Sequence, residues 1–219
     1  MEDPPAKNIF SLPQEIRDSI YTKVVAVRNP LDIFQDPGCP LETFAPERPR
    51  RWTALLYTNK QMSREASAVL YGKNVFKLVD ATLQHVRLMP AFLECIGPVN
   101  ASSLSHLCID YPLVEGEAGK FKLRDDHLNG LHFLQDRCTS LLVLELLLHG
   151  RESVHLTNAN HDNSRYSTEA LSQLDTRLRN ITSLQKIIVR VYSGKPILPV
   201  MESMHNLGWA VLPANRDHW

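Results

Sequence analysis

The sequence predicts an α/β fold, α+β overall. A short helical module comes first, followed by a longer domain of alternating strands and helices. Three observations predict it. Residues 10–27 and 53–71 repeat apolar side chains at helical spacing. After residue 72 the pattern changes to short β-branched or Leu-rich runs separated by helical stretches. Three of those runs open alike, on Ser or Thr followed by Ser-Leu. The predicted division is 1–72 and 73–219, with a Pro-rich insert over 30–51.

The first helix is expected over 10–27. Ser11 and Gln14 have the spacing of a capping box, and Pro13 falls in the first turn, where its missing N–H costs little. Ile16, Ile20, Val24 and Val27 form one apolar stripe, and Arg28-Asn29-Pro30 ends the helix. Residues 30–49 hold five prolines and Gly38 without a helical period, which predicts an irregular loop. Arg48, Arg50 and Arg51 beside Trp52 read as a solvated basic cluster. A second helix is expected over 53–71, with Leu55, Met62, Ala66 and Val69 on one stripe and Gly72 at the C′ position.

Strand and helix then alternate. Strands are predicted at 74–79, 103–110, 140–148, 183–192 and 208–212. Helices are predicted at 81–96, bent at Pro90, and at 125–137, 168–181 and 199–206. The run over 140–148 is nearly all apolar, as in a strand covered on both faces. Ser102-Ser103-Leu104, Thr139-Ser140-Leu141 and Thr182-Ser183-Leu184 recur about every 40 residues, which is longer than a standard leucine-rich repeat. They suggest an irregular, leucine-rich-repeat-like stack of strand–helix units with helices on one side of a parallel sheet.

Composition narrows the function. The 219 residues are 43% hydrophobic and 22% charged, an ordinary globular balance. Lys+Arg and Asp+Glu are both 24, so no overall field draws in nucleic acid or an anionic membrane. Aromatic residues do not interleave with a basic stripe, as single-strand nucleic-acid binders require. The start of the chain lacks an apolar signal segment, and no stretch reads as a membrane span. Cys39, Cys95, Cys108 and Cys138 form no C-x-x-C pair, and three of them have apolar neighbours. Free thiols and an intracellular address, cytoplasmic or nuclear, are expected.

Catalytic signatures are missing. There is no Gly-rich phosphate loop, no G-x-S-x-G and no H-E-x-x-H. Residues 115–120 read as a solvated turn. His155, His161 and Asp162 lie in a polar run whose spacing fits no zinc pattern, so an exposed loop is expected there and no metal or cofactor. His106 with Cys108, or His132 with Cys138, offers a Cys–His pair, and strand neighbours at i and i+2 share a face. In a strand, however, Cys108 reads as a buried, inert thiol. The chain is therefore expected not to be an enzyme.

The N-terminal residues carry a resemblance. Leu12, Pro13, Glu15, Ile16, Arg17, Ile20 and Tyr21 match L-P-x-E-I-R-x-x-I-Y. Leu55, Leu56, Asn59, Lys60, Gln61, Met62, Glu65 and Ala66 match L-L-x-x-N-K-Q-M-x-x-E-A, and Leu70, Tyr71, Asn74 and Phe76 match L-Y-x-x-N-x-F. This pattern resembles the fungal F-box-like proteins and covers roughly the first half of the chain. The resemblance implies an adaptor or substrate-receptor subunit that docks a Skp-type adaptor of a cullin ubiquitin ligase. It implies that Leu12, Pro13, Ile16 and Ile20 face the adaptor, supported by Leu55, while the C-terminal domain captures an unknown protein substrate. An ordinary F-box joins its first helices closely, whereas here the insert separates them. The same apolar residues also suit a core packed against Leu55 and Met62, with Arg17 and Glu65 as a structural ion pair. Two alternatives follow: a scaffold with a degenerate F-box and no ligase role, or a small enzyme using His106, Cys108 or the His155–His161 loop.

Overall fold

The computed structural model describes residues 8–45, 52–79, 85–112, 114–117, 120–149, 156, 161–192, 194 and 196–214. The Arg48, Arg50 and Arg51 cluster lies outside them. Helix α1 spans Gln14–Val25, after a 3-10 turn at Ile9–Ser11. The predicted capping box does not form. Pro13 starts the helix later, so Gln14 is its first residue rather than its third. Ser11 instead donates its hydroxyl to the Asn8 carbonyl at 2.7 Å. The buried face of α1 is Arg17, Tyr21 and Val25, one position round from the Ile16–Ile20 stripe.

The insert is not a plain loop. Strand β1 (Leu31–Phe34) and strand β2 (Glu42–Phe44) pair antiparallel, with Gly38 at φ +79° in the turn between them. Pro30, Pro37 and Pro40 flank these strands rather than interrupt them. The predicted second helix is also divided. A 3-10 turn occupies Trp52–Tyr57, and α2 (Lys60–Lys73) starts afresh from Asn59, whose side chain accepts from the Met62 N–H at 3.0 Å. Gly72 lies inside α2 rather than at C′. Asn74 closes the helix, donating to the carbonyls of Leu70 and Val25 and accepting from the Val27 N–H. At 1% exposure, this amide ties the ends of α1 and α2 together.

The remaining elements follow the predicted alternation. They are β3 (Val75–Leu78), α3 (His85–Ser103), β4 (His106–Asp110), β5 (Val114–Glu117), β6 (Lys120–Leu123), α4 (Asp125–Arg137), β7 (Val143–Leu148), α5 (His161–Arg179), β8 (Lys186–Val191), α6 (Leu198–Asn206) and β9 (Ala210–Pro213). Three details differ from expectation. α3 breaks at Gly97 (φ +76°) rather than bending at Pro90. The predicted turn over 115–120 is an antiparallel hairpin, β5–β6. The polar run expected as a loop becomes helix from His161 onward.

Seven strands form one sheet in the order β2-β1-β3-β4-β7-β8-β9, and every pairing except β1–β2 is parallel. The Ser/Thr-Ser-Leu recurrence has a geometric counterpart. The N–H of Leu104, of Leu141 and of Leu184 each donates to the carbonyl three residues back, closing the same turn before β4, β7 and β8. The Ser105 and Ser183 hydroxyls then bond back to the preceding unit, at Gly72 and Leu141.

Core membership separates the two faces of the sheet. One apolar cluster contains Phe76, Leu107, Leu144, Leu146, Ile187 and Val189 from alternate strand positions. Each of the six α-helices described here contributes to that cluster, through residues such as Tyr21, Leu70, Leu93, Leu134, Leu174 and Met204. Cys108, Leu147 and Ile188 are equally buried but stand outside it, because they point from the opposite face. The described residues therefore form two layers, with the helices on one face of the sheet.

Candidate functional site

Two regions hold the predicted site residues. The first is the N-terminal end of α1. Arg17 is buried and donates from Nε and a terminal nitrogen to both carboxylate oxygens of Glu65, each at 2.8 Å. It also donates to the Leu12 carbonyl at 2.6 Å and to the Gln14 side chain. Tyr21 and Gln61 donate to the same carboxylate at 2.9 and 3.0 Å. The Arg17 bond holds the Glu65 carboxyl at about 2, against the upward push of burial, with Gln61 and Tyr21 adding to the effect. The expected Arg17–Glu65 pair is thus the clamp that fixes α1 on α2.

This clamp turns the neighbouring apolar residues outward. Leu12 is 37% and Ile16 49% exposed, and Pro13 between them is exposed. Ile20 is half-buried. Leu55, in the 3-10 turn, packs at the edge of the core.

The second region is the sheet face opposite the helices. Register places Asp32, Lys77, Cys108, Glu145, Ile188 and Ala210 in one row across it. Neighbouring rows hold His106 and Lys186 on one side, and Asp110, Leu147 and Arg190 on the other. Glu145 is the hub. It accepts from Arg190 Nε at 2.6 Å and lies 3.0 Å from His106 Nε2. Burial pushes its carboxyl up, but His106 and Arg190 outweigh that and hold it at about 2. His149 lies 3.4 Å from Asp110 and stacks on Tyr192, with ring centroids 4.6 Å apart. Lys77 Nζ stands 5.7 Å from the Tyr192 ring centre, although β4 and β7 run between their strands.

No protein-family model, curated protein or solved structure matches this chain. Among the described residues, no helix is long and apolar enough to cross a membrane.

The chemistry of this sheet face follows from its pairing. His106, Cys108 and Glu145 each bring one ligand atom within 4.8 Å of the others, a spacing compatible with a shared metal ion. Cys108 is no ready nucleophile. Burial pushes its thiol far up, and the adjacent Glu145 carboxylate adds to that push. The other predicted pair is not assembled, because His132 is exposed on α4 while Cys138 sits in the core, its thiol pushed up to about 12 by burial. His155 lies outside the described residues, and His161 and Asp162 open α5. Cys108 and Cys138 are buried, and Cys39 and Cys95 are exposed. Glu145 escaped sequence reasoning, yet it had a signal: it is the one charge within an otherwise apolar strand, and a buried carboxylate requires partners.

Proposed function

We propose that the chain is a non-enzymatic protein-interaction protein, an F-box-like substrate receptor that docks a Skp-type adaptor of a cullin ubiquitin ligase. The observation that carries this reading is the exposure of Leu12, Pro13 and Ile16 on a helix held rigidly by the Arg17–Glu65 clamp. A fixed, exposed apolar end suits docking, because its side chains lose little freedom when a partner covers them. The strand–helix stack behind it supports a leucine-rich-repeat-like reading, with partly exposed charged groups such as His106 and Arg190 on its second sheet face to meet a protein substrate.

Co-purification with a Skp-type adaptor tests the proposal. The wild-type chain is expected to retain the adaptor. Ile16→Asp should weaken retention about thirtyfold or more, the scale of an interface hot spot, with an unchanged circular dichroism spectrum. Failure of the folded wild-type chain to bind any Skp-type adaptor would sink the docking role. That result would favour a scaffold without a ligase role. One observation already supports such a scaffold: the insert supplies two strands to the sheet and so gives the helical module a packing function of its own.

A further inference from the structure

The insert also builds a cavity of about 400 Å3, within the range of roughly 300–1,000 Å3 typical of small-molecule sites. Eight of its fourteen lining residues lie between Leu31 and Tyr57, and the others come from α2, β3 and α3. Leu70, Phe76 and Phe92 are buried, as are Leu31 and Ile33 of β1, and these form its deep wall. Tyr57 is 85% exposed and Cys95 is exposed, which places both at the mouth.

The lining specifies a ligand chemistry. Five aromatic rings share the lining with six aliphatic side chains. Tyr71 stacks on Phe76 with centroids 5.3 Å apart at 18°, and Phe92 follows at 5.6 Å from Phe76. Trp52 and Tyr57 add two more rings. Flat faces of this kind favour a flat partner. No lining side chain is charged, so an ionised ligand would lose its hydration without compensation. The polar groups are the hydroxyls of Thr43, Thr53, Tyr57 and Tyr71, the Trp52 indole N–H and the Cys95 thiol. Burial pushes the Tyr71 phenol up to about 12, so it keeps its proton at ordinary pH. Among the described residues, none hydrogen-bonds that hydroxyl.

We infer that this cavity binds a small, uncharged, planar aromatic molecule bearing a hydroxyl group, which pairs with Tyr71. The site is independent of adaptor docking, and either can fail without the other.

The probe is 2-naphthol, titrated into the full chain. Saturable quenching of tryptophan emission is expected through Trp52. The same compound should slow alkylation of Cys95 by iodoacetamide about fivefold or more while leaving Cys39 unchanged, read peptide by peptide. Thr43→Phe fills the cavity from an exposed edge-strand position and should weaken both effects about tenfold. Leu41→Phe serves the same purpose if Thr43→Phe does not fold. Absence of both saturable quenching and Cys95 protection would overturn the inference. So would undiminished 2-naphthol binding in a folded, cavity-filled variant.

Discussion

Glu65 collects four hydrogen bonds, two from Arg17 and one each from Tyr21 and Gln61, and these make it the most pH-sensitive joint between α1 and α2. An unfolded glutamate titrates near 4.5, whereas this one titrates at about 2. A depressed carboxyl pKa gives stability that is complete above the unfolded value and disappears as pH falls towards the folded one. The urea midpoint should therefore fall as pH drops from about 4.5 to 2. Glu145 loses its contribution over the same range. Glu65→Gln should lower the midpoint at neutral pH and make the acid decline shallower. An acid decline as steep as that of the wild type would remove Glu65 from this role. Single residues were unevenly legible. Arg17 and Glu65 stood out as charges within otherwise helical motifs. The burial of Asn74 did not, because two of its three backbone partners, Val25 and Val27, lie at and just beyond the end of α1, which sequence spacing does not bring to it.

At the scale of elements, helix α3 shows how a backbone angle overrides an expected break. Pro90 lies inside the helix, and the interruption falls at Gly97, with φ +76° and ψ 167°. That region is open almost only to glycine. A Cβ added there would meet nothing within 4 Å, so the penalty for Gly97→Ala is purely conformational. It should cost about 1–3 kcal/mol in urea denaturation. A change within error would mean that the backbone relaxes without penalty. The sequence was most informative where a pattern ran long. α4 matched its predicted bounds, and β7 lay inside the predicted apolar run. β1 and β2 stayed hidden because strands of four and three residues show hardly two periods of alternation, and β2 is exposed throughout.

For the whole molecule, one apolar cluster runs from Tyr21 to Trp209 and takes in every described α-helix. A shared core predicts shared unfolding. Hydrogen exchange in rising urea should bring the amides of α2 and of β8 to a common opening free energy. A value for α2 lower by more than about 2 kcal/mol would show that the N-terminal helices open on their own. The alternation of strand and helix was legible in part because β4, β7 and β8 are each preceded by a Ser/Thr-Ser-Leu turn. The charged network on the sheet face opposite the helices was not legible. It depends on the register that sets Glu145 beside Cys108 and Ile188, and nothing local records that register.

The reversed direction of β2 has a consequence for assembly. A stack of parallel strands has two unlike ends, and end-to-end addition of further copies would lengthen it into a filament. Here the first end is an antiparallel strand of three residues, too short and wrongly oriented to template another parallel unit. The hairpin that lines the cavity thus also acts as a stopper at the β2 edge of the sheet.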